Sequence, residues 1–87
     1  MLHFIKEIID IHPFKVVCIF NYGEKRMIDL SDLIKNKINS KLYQQLADDE
    51  YFSSVKLDSY GTLYWDNGLD FCPDVLFEIS EPINEVI

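Results

Sequence analysis

Asp58-Ser59-Tyr60-Gly61-Thr62-Leu63-Tyr64-Trp65-Asp66-Asn67-Gly68-Leu69-Asp70-Phe71 is the stretch whose reading decides the fold. It spells turn, strand, turn. Gly61 ends the first turn, because glycine accepts the positive φ that such turns often need. Thr62 to Trp65 is a short aromatic strand with Leu63 and Trp65 on one face and Thr62 and Tyr64 on the other. Asp66-Asn67-Gly68 then supplies the residue types that turn a chain back on itself.

Upstream, Val55 to Leu57 re-enters as a strand after Tyr51 and Phe52, which are expected to bury over the sheet. Asp48-Asp49-Glu50 reads as a solvated, charged connection. Ser40 and Ser31 each stand where a helix should be capped. The later helix carries Leu42 and Leu46 four residues apart on one face. The earlier one turns Leu33 and Ile34 inward, has Asp32 near its positive end, and is interrupted at Asn36 and Asn39. Before them, Ile5 to Ile11 is a first strand, broken at His12-Pro13. Lys15 to Phe20 is apolar at every position but the first and is expected to be a central strand covered on both faces. Asn21-Tyr22-Gly23-Glu24 marks a hairpin, returning through Lys25 to Asp29 with Met27 inward. Downstream, Cys72-Pro73-Asp74 opens a helix whose apolar side is Val75, Leu76 and Ile79. Glu81-Pro82 stops it, and Ile83 to Ile87 forms an apolar tail that packs back as a strand or faces a second chain. The expected fold is α+β, with a small, mostly antiparallel sheet of about five strands and two or three short helices. One domain spans 1–87, its core about 5–79 and its tail 80–87.

Composition agrees with a packed, small domain. Hydrophobic residues make up 48% and aromatic ones 14% of 87 residues, enough for a core and too much for disorder. Two cysteines, Cys18 and Cys72, are too few for a small fold held by disulfides. No basic stretch followed by a long apolar run opens the chain, and no segment approaches the ~20 apolar residues of a membrane span. A cytoplasmic protein without membrane association is expected.

The net charge is −7, unevenly placed. Residues 1–45 carry seven Lys or Arg against five acids, whereas residues 46–87 carry Lys56 alone against ten. Clustered cations, which a phosphate backbone requires, are missing, so autonomous nucleic-acid binding is not expected. Acidic surface of this kind keeps a small apolar domain soluble, and it also suits a basic protein partner.

No catalytic constellation is present, and the chain is not expected to be an enzyme. The acids from Asp66 to Asp70 are too few and wrongly spaced for a calcium loop, and the turn needs these residues for backbone reasons. His3, His12, Cys18 and Cys72 match no zinc spacing. Cys72 at a helix start could be activated, but Asp70 and Asp74 oppose this and no partner base lies near in sequence. Three glycines make no phosphate loop. No cofactor or metal is expected.

The sequence resembles a bacterial family known as domain of unknown function 2442. The resemblance rests on the strand, hairpin and Asp29-Leu30 step into the first helix, and on Leu46-Ala47-Asp48…Phe52 followed by Val55-Lys56-Leu57-Asp58. Its most specific part is Gly61-Thr62-Leu63-Tyr64-Trp65-Asp66-Asn67-Gly68-Leu69-Asp70-Phe71, continuing to Pro73-Asp74-Val75-Leu76. Many relatives have Pro where this chain has Asp66. The resemblance implies an α+β domain, alone or joined to a helix-turn-helix domain, with no assigned activity and, in some members, toxin–antitoxin-like gene neighbours.

These readings together point to a non-catalytic protein-interaction or regulatory module. Its candidate surface is Tyr60, Tyr64, Trp65, Asp66, Asn67 and Asp70, with Tyr22 also expected to be exposed. Trp and Tyr join large area to a polar handle, although the largest aromatic of a small domain also serves as core. The alternative is a small-molecule or ion site beside Trp65 and the Asp66–Asp70 turn. A homodimer through an open sheet edge or the tail is the third arrangement considered.

Overall fold

The computed structural model describes residues 2–83, and residues 84–87 of the tail lie outside the described residues. Three strands come first: β1 (Ile5–His12), β2 (Lys15–Phe20) and β3 (Lys25–Asp29). Three short helices follow, α1 (Ser31–Asn36), α2 (Lys41–Leu46) and α3 (Asp49–Phe52). Then come β4 (Lys56–Leu57), β5 (Leu63–Tyr64), α4 (Pro73–Ile79) and β6 (Glu81–Pro82). The described strands form an antiparallel sheet in the order β1-β2-β3-β6 and a separate β4-β5 pair. The class is α+β, as expected, with the strands divided between two sheets.

Alternation along β2 builds the core. Val16, Cys18 and Phe20 are fully buried and meet Ile5, Ile28, Leu30, Ile34, Leu46, Phe52, Leu63, Trp65 and Leu76. Val17 and Ile19, on the other face, are only half-buried. The expectation of a strand sealed on both faces is therefore corrected. A chain this short packs a single layer of helices and the small sheet against one face. The pairing register corrects β3 as well: Ile28 lies opposite Val16 and is buried, whereas Met27 lies opposite Val17 and is half-exposed.

The break at His12-Pro13 is itself a tight hairpin, since His12 pairs with Lys15. Proline's fixed φ suits the first corner, and Phe14 takes the left-handed φ of 67° at the second. That conformation costs a non-glycine residue about 1–2 kcal/mol. Offsetting contacts hold it: the Phe14 carbonyl accepts from Leu30 N–H at 2.8 Å, and its ring meets Phe52 edge-on at 5.6 Å.

Neither expected serine caps its helix through its side chain. Asp29 accepts from Ser31 N–H at 2.9 Å and Ser31 Oγ at 2.5 Å, so Ser31 opens α1 without capping it. Ser40 sits at the N-cap of α2 without a side-chain hydrogen bond. Asp48 accepts from Glu50 N–H at 3.0 Å and starts α3, so the acidic run is a helix start rather than a loose connection. On α4, Leu76 is buried and Phe77 packs against the core, while Val75 and Ile79 are 46% and 41% exposed. The expected inward side of that helix is thus partly its outward side. Glu81-Pro82 stops α4 as expected and goes on to pair with Met27 and Arg26. Ile83 N–H continues this edge by donating to the Lys25 carbonyl at 3.0 Å.

Candidate interaction cleft

The aromatic turn is a structural joint. Trp65 is 1% exposed, its Nε1–H donates to the Phe52 carbonyl at 3.2 Å, and Phe52 and Phe71 pack on its ring. It is core, and its place in the candidate surface is corrected: a side chain with no accessible area cannot anchor a partner. Asn67 is a staple. Its amide nitrogen donates to Gln45 Oε1 at 2.8 Å and the Leu42 carbonyl at 3.3 Å, while its oxygen accepts from Leu69 N–H at 3.0 Å. The Tyr51 hydroxyl accepts from Asn67 N–H. Asp66 forms an exposed ion pair with Lys56 at 2.8 Å. Tyr64 is half-buried and bridges Asp70 through the backbone. Tyr60 and Tyr22 are exposed, at 82% and 61%. The depression beside this turn, lined by Asp58, Tyr64, Trp65, Gly68, Leu69 and Asp70, holds about 240 Å³. That is below the ~300–1,000 Å³ typical of small-molecule pockets.

A larger concave site lies where β3, α1, α4 and β6 meet. Its volume is about 410 Å³. Met27, Leu33, Val75 and Ile79 provide apolar surface, and Asp29, Asp32 and Glu81 provide three carboxylates. Asn36 completes the lining, and no Lys or Arg belongs to it among the described residues. A wider depression of about 540 Å³ between α2 and α3 is lined by Lys41, Gln44, Gln45, Asp48 and Tyr51 and lacks such an apolar floor.

Each wall of the cleft has a local cause. Met27 points here because Ile28 takes the core-facing register. Asp29 is fixed by its bonds to Ser31, which also hold its carboxyl below the usual carboxylate range and so keep it charged. Arg26 docks α4: its Nε and Nη2 donate to Ser80 Oγ and the Ser80 carbonyl at 2.5 and 2.9 Å, and its guanidinium lies 4.2 Å over the Phe77 ring. His3 stacks on the same ring at 3.6 Å, and His3 N–H donates to Asp74 at 2.8 Å. With α4 held from these sides, Val75 and Ile79, four residues apart, present one apolar stripe to the cleft.

Summing charge by halves of the chain conceals this site, because Asp29 and Asp32 belong to the less acidic half. The available signal was the alternation of β3 against β2, which places Met27 and Asp29 together on the face opposite Ile28.

The cysteines stand apart from one another. Cys18 is fully buried in β2, and burial pushes its thiol up to about 12, whereas Cys72 is exposed at the start of α4. Among the described residues no three His, Cys, Asp or Glu side chains converge as metal ligands. No described helix is long and apolar enough to cross a membrane.

No curated protein and no solved structure matches this chain. A family model described as protein of unknown function (DUF2442) matches residues 6–82, from the second residue of β1 to the last of β6. The match runs through the hairpins, the aromatic turn and the cleft alike, and the chain belongs to that family.

Proposed function

We propose that the protein is a non-catalytic interaction module whose acidic cleft receives a basic, partly apolar segment of another protein. The single observation that supports this most is the pairing of an apolar floor with three carboxylates and no lining cation among the described residues. Apolar surface supplies affinity in such a groove, and the charge supplies selectivity and speed of encounter. A regulator or toxin with an exposed cationic segment is the type of partner this chemistry fits, and the module would occupy that segment. Val75 and Ile79, exposed side by side on α4, are the apolar contacts. Asp32 and Glu81 are the charged ones.

The reading is tested with a synthetic helical peptide of alternating Leu and Lys faces, titrated into isotopically labelled protein. Amide shifts should centre on α1, β6 and α4, and binding should weaken as salt rises toward a Debye length of ~8 Å or less. Asp32→Lys with Glu81→Lys should reduce affinity at least tenfold. Shifts centred on the Asp66–Asp70 turn, or binding indifferent to that double substitution, would move the interface elsewhere.

A further inference from the structure

The face of the larger sheet turned away from the core continues the floor of the acidic cleft. Strand pairing fixes which residues share that face. Asp10 stands opposite Val17, Val17 opposite Met27, and Met27 opposite Glu81. Their chain neighbours Val16, Cys18 and Ile28 are buried in the core. One row therefore crosses all four strands, with two apolar side chains in the middle and a carboxylate at each end. Ile9, 41% exposed at the bulge between Ile8 and Asp10, adds apolar surface at the β1 end. Met27 and Glu81 also line the cleft, so the row and the cleft form one continuous surface.

Charge decides what fits across it. The rows on either side are mixed: Lys15 lies between His12 and Asp29, and Ile19 lies between Glu7 and Lys25. The central row alone of these three has acids at its ends and no cation. A cationic segment laid along the strands would meet Lys15 or Lys25, whereas one laid across them ends on Asp10 and Glu81. We infer that the segment received by the cleft is an amphipathic helix that runs on across this row, with one cation at Glu81 and a second at Asp10. The inference rests on the cleft reading and extends it. Three interstrand spacings span ~14 Å, which an α-helix covers in about ten residues. The two cations therefore stand about ten or eleven residues apart on one helix face, with apolar residues between them over Met27 and Val17. Asp10 already pairs with His12 at 2.8 Å on the surface, and the incoming cation shares that carboxylate.

Two lactam-bridged, Leu-faced peptides of 16 residues and one composition test this, with their two lysines either eleven or four residues apart. Each is titrated into the isotopically labelled full chain. The wide spacing should bind about fivefold more tightly, the upper scale of one exposed ion pair. It should also shift the amides of Asp10, Val17 and Ile19 along with those of α1, α4 and β6. Asp10→Lys should erase the preference and leave the narrow peptide's affinity unchanged. Asp10→Asn keeps an acceptor for the Ile11 N–H that Asp10 now binds, and it should reduce the preference without disturbing β1. Equal affinity for the two peptides, or unmoved Asp10 and Val17 amides, would overturn the inference. The cleft reading would survive that result if both peptides still weakened with Asp32→Lys and Glu81→Lys together. Indifference of both peptides to that double substitution would overturn the two readings at once.

Discussion

Gly61 carries the tightest local requirement in the molecule. Its φ is 81°, and an added Cβ would lie 2.6 Å from Phe4 Cβ and 3.1 Å from the Ile5 backbone. Gly61→Ala should cost about 2–5 kcal/mol in urea unfolding, combining left-handed strain with overpacking. Gly68→Ala, with nothing within 4 Å of its Cβ, should cost only the strain, about 1–2 kcal/mol. Similar losses in both would contradict the close approach of the N-terminal segment to this turn. The turn glycine was legible in the sequence; the approach of Phe4 and Ile5, fifty-six or more residues away in the chain, was not. Cys18 gives a second prediction at this scale. Its folded pKa of about 12 lies above the 9.0 of an unperturbed thiol, so the unfolded chain ionises first as pH rises. The stabilisation is complete below pH 9 and is lost between pH 9 and 12, at a limiting slope of about 1.4 kcal/mol per pH unit. Near pH 8, thiol reagents should modify Cys72 alone in the folded protein, and Cys18 only after unfolding; equal labelling of both would contradict the burial.

Among the elements, α4 shows best how far periodicity reads. Its start at Cys72-Pro73-Asp74 and its stop before Glu81-Pro82 follow from proline chemistry and were legible. Its buried face was not, because Val75, Leu76, Phe77 and Ile79 are all apolar and seven residues offer too few turns to choose between stripes. Tertiary docking chooses, through Arg26 clamping Ser80 and stacking on Phe77. Arg26→Met should cost about 2–3 kcal/mol, since charged hydrogen bonds and a cation–π contact are lost together. It should also speed amide exchange across α4 more than across α2. Arg26→Lys keeps the charge but not the planar fork, and should recover less than half of the loss. Exchange unchanged in α4 would mean that its docking rests on Leu76 and on the His3 contacts to Phe77 and Asp74. Capping shows the same limit at α1 and α3. Ser, Asp and Asn compete for the cap, and only the backbone decides that Asp29 and Asp48 act while Ser31 does not. Asp48→Ala should cost about 1 kcal/mol, against a few tenths for Ser40→Ala, which makes no side-chain cap bond.

At the scale of the molecule, the edges of the larger sheet are handled differently. β1 lies at one edge, carries two register shifts and exposes Lys6, Glu7 and Asp10, features that discourage strand-to-strand pairing between copies. β3 is covered by β6 and Ile83 along Lys25, Arg26 and Met27, and the acidic cleft opens beside Asp29. The α+β class and the order of β1 to β5, α1, α2 and α4 were readable from the chain; α3, β6 and the cleft were not, because the cleft is assembled from β3, α1, α4 and β6. Trp65 leaves the expected surface for a related reason, while Tyr60, Asp66 and Asp70 stay exposed. In a domain of 87 residues the one Trp is needed to fill the core, and the polar residues around it are used in holding the turn. Trp65 and Asn67 therefore hold the turn together, and the cleft is the surface proposed for a partner.

The most direct measurement compares capture from native lysate by three folded forms: the unaltered chain, Asp32→Lys/Glu81→Lys in the cleft, and Asp66→Lys/Asp70→Lys in the turn. Circular dichroism first establishes that all three are folded. The account expects one basic protein retained in stoichiometric amount by the unaltered chain and the turn variant, and lost from the cleft variant. Retention by the cleft variant, or loss confined to the turn variant, would contradict the central claim that the cleft of β3, α1, α4 and β6 is the binding surface.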